Sequence, residues 1–278
     1  MKRGYADTSQ GQVHYRTAGE GAPLVLLHAT PRSSRIFERL VALLGRQYRV
    51  VALDTLGFGN SDPLPPGASM DDLARMVVEA MDAIGLQKAS ILGYHTGNKI
   101  AAAVGASHPR RVDKLLLVGM SHSLVVDRSS REAAIHALVD GVLDQPGPAE
   151  MLRRWAAVYS DVSQTWWKPD MVGKAGLAMD DLGELEREVL DKIQARQSVD
   201  PVYRANFAFD FAAALAKIER PTLVLEFATE GEKHMRGSGA GIRDLVRGAQ
   251  LQVFENTDRN VWEREPARVA QAVAAFLG

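Results

Sequence analysis

The sequence predicts an α/β architecture: a mostly parallel sheet flanked by helices, with a helical segment inserted before the sheet is complete. Three observations carry this. Short apolar runs alternate with amphipathic helical patterns from Gln12 to Met120, strand signals then stop and resume only at Thr222, and one strand enters one helix through a Gly-x-x-x-Gly turn at residues 93–97.

The elements follow in order. Residues 12–17 alternate like a half-buried strand, whereas residues 23–27 (Pro-Leu-Val-Leu-Leu) and 50–53 are apolar runs suited to parallel strands covered on both faces. Between them Ser34, as a cap, and the spacing of Phe37, Leu40, Val41 and Leu44 predict one amphipathic helix. Ser69 with Asp72 reads as a capping box, and Leu73, Val77, Val78 and Met81 give a stripe ending at Gly85. A strand over residues 89–92, a helix of small residues over 98–107 and a strand over 114–118 come next. The interval after Met120 carries helical patterns broken by Pro146, Pro148, Pro169 and Pro201, so residues 121–215 are expected to form a helical cap, with 1–120 and 216–278 as the core. A strand over 222–225, a helix near 242–246, a strand over 251–254 and a helix over 266–277 complete it.

Composition narrows the function. A chain of 278 residues with 46% hydrophobic and 24% charged residues and a formal net charge of −1 is long enough for a large core and offers no field for nucleic acid or an anionic membrane. A small-molecule substrate is the expected partner, and homo-oligomerisation stays open. With Cys 0, thiolate nucleophiles, disulfides and zinc–thiolate sites are excluded; no metal and no cofactor are expected. The opening residues Met-Lys-Arg-Gly-Tyr-Ala-Asp have no apolar run behind their basic pair, and no stretch approaches the ~18 apolar residues of a spanning helix, so a cytoplasmic location is expected.

The chemistry centres on Gly93-Tyr94-His95-Thr96-Gly97. A sharp strand-to-helix turn flanked by residues small enough to let the chain double back lifts its central side chain above the sheet. Together with Leu26-Leu27-His28-Ala29-Thr30-Pro31 and Asp54-Thr55-Leu56-Gly57-Phe58-Gly59-Asn60-Ser61-Asp62, this chain resembles the α/β-hydrolase superfamily, over nearly everything outside the cap. The first added segment is similar to that family's oxyanion loop and the second to its Asp-x-x-Gly-x-Gly-x-Ser segment. The resemblance implies an α/β-hydrolase fold, a nucleophile elbow at His95, an oxyanion hole from the N–H groups of Ala29 and Thr96, and an acid at Glu230 past the strand 221–225. Counting back from Arg264-Glu265-Pro266 places Arg259 where the family's histidine stands.

Those departures define the candidate site. The family's elbow carries serine, cysteine or aspartate, and here it is His95, which as an imidazole suits a general base or a nucleophile. Arginine stays protonated, so Arg259 cannot shuttle a proton; it suits an ion pair with Glu230 or a carboxylate or enolate of the substrate. Glu226 is a rival acid. His28, Arg32, Tyr94 and His122, with Trp155, Tyr159, Trp166 and Trp167 of the cap, are candidate substrate contacts, and structural roles suit each of them too. Three functions fit: hydrolysis of a small carbonyl or ester compound without cofactor; lyase, decarboxylase or cofactor-free oxygenase chemistry with His95 as base; or ligand binding without catalysis, as in hormone receptors of this fold.

Overall fold

The structure, a computed structural model, describes residues 1–119, 124, 129–130, 133, 187–188, 190–228, 237–255, 257 and 261–278. The elements are β1 (Lys2–Thr8), β2 (Gly11–Ala18), β3 (Ala22–Leu27), α1 (Glu38–Leu44), β4 (Tyr48–Leu53), α2 (Met70–Ala83), β5 (Ala89–Tyr94), α3 (Thr96–Ser107), β6 (Val112–Val118), α4 (Val199–Ala208), α5 (Phe211–Ala216), β7 (Thr222–Ala228), α6 (Ser238–Leu245), β8 (Gln250–Glu255), α7 (Val261–Arg264) and α8 (Pro266–Leu277). The strands form one 8-stranded sheet in the order β1-β2-β4-β3-β5-β6-β7-β8. It is parallel from β4 to β8, and β1 and β2 are antiparallel additions at one edge.

The apolar runs fall where both faces are covered. Val25, Leu27, Val51, Leu53, Ile91, Leu115 and Leu117 face α2 and α3, while Leu24, Leu26, Val50, Ala52, Leu92, Leu116 and Leu225 face α1 and α8. Burying each such side chain contributes about 1.5–3 kcal/mol before the entropy of ordering it is charged against it. On α2 the Ser69 and Asp72 capping box closes the first turn, and Leu73, Met76, Val77, Ala80 and Met81 line the buried face.

Two sequence expectations change. The helix after β3 is capped by Ser33 rather than Ser34 and opens with a 3-10 turn over Ser34–Phe37; Ser34 is drawn inward by the Asp54 carboxylate, which takes its N–H at 2.7 Å. Strand β1 had no apolar signature because it is an edge strand of which Ala6 alone is fully buried.

The topology decides where a ligand can sit. From β3 the chain moves to β4 on one side, and from β5 it moves to β6 on the other, so the strand order reverses between β3 and β5. In open α/β sheets ligands bind outside the carboxyl ends of the strands at such a switch point. Leu27 pairs with Gly93 and Tyr94 with Val118, which brings the segments after β3, β5 and β6 together there. Among the described residues no helix is long and apolar enough to cross a membrane.

Candidate active site

The turn after β5 is tight for steric reasons. A Cβ on Gly93 would lie 2.2 Å from the Gly97 carbonyl oxygen, and one on Gly97 would lie 2.3 Å from that of Leu27. Only glycine lets the start of α3 press against the end of β3. Gly97→Ala is therefore expected to destabilise the protein by about 3 kcal/mol, the upper end of overpacking costs, as read by denaturant unfolding.

Between these glycines His95 takes φ 49 and ψ −103, the single positive φ among the described non-glycine residues. Such a conformation costs on the order of 1–3 kcal/mol and persists only where its surroundings enforce it. Here the enforcement is visible. The His95 N–H donates to the Val118 carbonyl at 3.0 Å, and its own carbonyl accepts from the Asn98 N–H at 3.0 Å. The buried Asn98 side chain donates to the carbonyls of Val118 (2.9 Å) and Gly119 (3.3 Å) and accepts from the Val118 N–H (2.7 Å). Asn98 thus ties the turn to β6, a role that sequence reading missed because its partners lie twenty residues away.

The partly exposed imidazole of His95 rests edge-on against Tyr94, with ring centroids 4.5 Å apart. Tyr94 in turn packs against Trp262 of α7 at 5.0 Å. Gly119 makes room for both rings, since a Cβ there would lie 2.9 Å from Tyr94 Cε2 and 3.2 Å from His95 Cδ2.

Ala29 follows β3 and Thr96 opens α3 on the neighbouring strand's turn. The Thr96 N–H belongs to the first turn of a helix, where donors lack intrahelical acceptors and form the positive end of the helix dipole. The loop itself is braced from within: Arg32 N–H donates to the Ala29 carbonyl at 2.7 Å, and Thr30 N–H reaches Thr96 Oγ1 at 3.4 Å.

His28 lies beneath that loop at 2% exposure. Its Nε2 accepts the Thr55 N–H at 3.0 Å, which leaves the proton on Nδ1, 3.0 Å from the Ala29 carbonyl. Burial pushes its pKa below the ordinary 6.5, although Asp54 pulls the other way. The folded state therefore favours the neutral ring, and the stability this contributes is present above pH 6.5 and is lost as pH falls below it. A long-range 1H–15N spectrum at pH 7 is expected to show His28 as the neutral Nδ1–H tautomer; an imidazolium signal or the Nε2–H tautomer would contradict this.

Arg32 is engaged by protein carboxylates: Nε is 3.3 Å from Asp191 Oδ2, and Nη1 is 3.6 Å from Glu188 Oε2. Burial opposes its charge, but Glu188 and Asp191 more than offset this and raise its pKa further. Glu226 accepts the N–H groups of Gly237 (3.2 Å) and Gly239 (2.9 Å), capping the start of α6. Glu230, Arg259, His122, Trp155, Tyr159, Trp166 and Trp167 lie outside the described residues. Among the described residues no group of three or more carboxylates and histidines is placed to hold a metal ion.

Comparison with known proteins agrees with the fold. The model of the α/β hydrolase fold family matches residues 22–176. Haloalkane dehalogenase 2 of Mycobacterium tuberculosis is 35% identical over 112 residues, 40% of this chain and 39% of that protein. The match therefore spans well under half the length of that relative. A 2-hydroxy-6-oxononadienedioate/2-hydroxy-6-oxononatrienedioate hydrolase of Pseudomonas putida is 29% identical over 257 residues, 88% of this chain and 84% of that protein. The crystal structure of a hydrolase from Pseudomonas aeruginosa superposes with a TM-score of 0.77 at 22% identity, covering 99% of this chain and 98% of that one, which speaks to the fold.

Proposed function

The chain belongs to the α/β hydrolase fold family, and from that premise we propose that it is a cofactor-independent hydrolase of a small carbonyl or ester compound in which His95 is the general base. The carrying observation is the strained backbone of His95 at the switch point of the sheet, enforced by Asn98, Val118 and two obligatory glycines. The names of its relatives, a dehalogenase and a hydrolase of an oxo-dienedioate, support hydrolysis as the reaction class.

In this reading a water molecule attacks the substrate carbonyl carbon while the imidazole takes its proton. The negative oxygen of the tetrahedral intermediate is received by the N–H groups of Ala29 and Thr96, worth typically about 100- to 1,000-fold for each donor. Collapse expels the leaving group, which takes back the proton from the imidazolium. Arg259 remains charged throughout and pairs with Glu230 or with an anionic part of the substrate. We propose likewise that residues 121–215 supply a cap, with His122, Trp155, Tyr159, Trp166 and Trp167 as its substrate contacts; within that interval Val199–Ala208 (α4) is helical.

The test uses a fluorophosphonate probe and p-nitrophenyl acetate. Wild type is expected to hydrolyse the ester yet resist labelling at residue 95, because labelling needs an activated hydroxyl. His95→Ser is expected to label slowly, and His95→Ser/Arg259→His about 100- to 10,000-fold faster, the range of general-base assistance. Rapid labelling of the single variant, or none in a folded double variant, would show that the base or the acid is misplaced.

A further inference from the structure

We propose that Asp191 is a positioning residue of this site, holding the loop that presents Ala29 by gripping Ser33 and Arg32; the inference rests on the hydrolase reading above. From the core side the loop is fixed by Thr55 N–H on His28 (3.0 Å) and by Ser34 N–H on Asp54 (2.7 Å), and the Arg32 N–H to Ala29 carbonyl bond (2.7 Å) closes its turn. None of these bonds holds the side chains of Arg32 and Ser33, and Asp191 takes both. Its Oδ1 accepts from Ser33 Oγ at 2.7 Å and its Oδ2 from Arg32 Nε at 3.3 Å.

Asp191 is only 1% exposed, so these are desolvated, charge-assisted bonds with no water to replace them. Glu188, 4% exposed, stands second to Arg32 at 3.6 Å and is itself bound by Lys192 at 3.0 Å. Both acids lie between β6 and β7, within the interval that the sequence assigns to the cap. The inserted segment therefore sets where the Ala29 N–H stands. That N–H matters most to the charged intermediate and least to the neutral ester, so misplacing it should lower kcat and spare KM.

With p-nitrophenyl acetate, Asp191→Asn is expected to lower kcat on the order of 100-fold, the cost of a displacement near 1 Å, with KM changed by less than about twofold. Ser33→Ala, which removes the 2.7 Å bond to Asp191 together with the weaker 3.4 Å cap on the Arg35 N–H, is expected to show the same split at roughly tenfold. The double variant should fall well short of the product of the two single effects, since they share the Ser33–Asp191 bond. In parallel, amide exchange of the Arg32 N–H should accelerate at least about tenfold in Asp191→Asn and stay at the wild-type rate in His95→Ala.

Wild-type kcat in folded Asp191→Asn, or unchanged exchange at Arg32, overturns the proposal. If Asp191→Asn does not fold, an unchanged kcat and unchanged Arg32 exchange in Ser33→Ala does so. A wild type inert toward the ester would remove the hydrolase reading instead, and the exchange arm would still decide the role of Asp191.

Discussion

His95→Ala is expected to lower kcat/KM by about 100- to 10,000-fold, the usual contribution of a positioned base, while leaving the fold intact. The fold survives because the bonds that shape the turn are made by the backbone of residue 95 and by Asn98, not by the imidazole. Alanine also keeps the strained φ, so relief of strain does not confuse the comparison. Steady-state kinetics beside a thermal melt check both halves. A folded variant at the wild-type rate would place the chemistry elsewhere.

Asp54→Asn is expected to cost about 3–5 kcal/mol of stability, the range for removing one charge from a buried pair. Asp54 is 1% exposed, and its oxygens hold His14 Nδ1 (2.8 Å) and the N–H groups of Ser34 (2.7 Å) and Asn60 (3.0 Å), with the 1% exposed Arg16 guanidinium 3.8 Å away. An amide nitrogen in place of either oxygen would face donors with a donor. Burial alone would raise the pKa of this carboxyl, but the His14 and backbone hydrogen bonds hold it well below the usual range. Because the folded value is lowered, the linked stability is complete above the ordinary 3.8 and is lost as pH falls below it. Guanidinium titrations at pH 7 and at lower pH should show the variant weaker at neutral pH and the gap narrowing in acid. A loss under about 1 kcal/mol at pH 7 would mean that the cluster relaxes without its anion.

The legible part of this fold was the part written locally. Residues 23–27, 50–53 and 114–118 are apolar without interruption because both faces of those strands are covered, and the turn at 93–97 announces itself through glycines within four residues of each other. Ser69 and Asp72 declared a helix start by the same local logic. What escaped depends on distant partners. Asp191 meets Ser33 across 158 positions, and nothing near either residue encodes that contact. Arg32 is a candidate substrate contact by sequence, and its ion pairs with Asp191 and Glu188 could not be read there, because both acids lie more than 150 positions away. The helix after β5 begins at Thr96 instead of the expected 98 because the strained residue at 95 is itself its cap position.

The central claim is that the imidazole at position 95 acts as the base, and chemical rescue tests it most directly. In His95→Gly the side chain is gone, the positive φ suits glycine, and the space beside Tyr94 and Gly119 is open to a small base. Added imidazole is expected to restore ester hydrolysis in proportion to its concentration, with no effect on wild type. A folded His95→Gly variant that loses activity and does not respond to imidazole, or one that keeps its activity without it, would contradict the account.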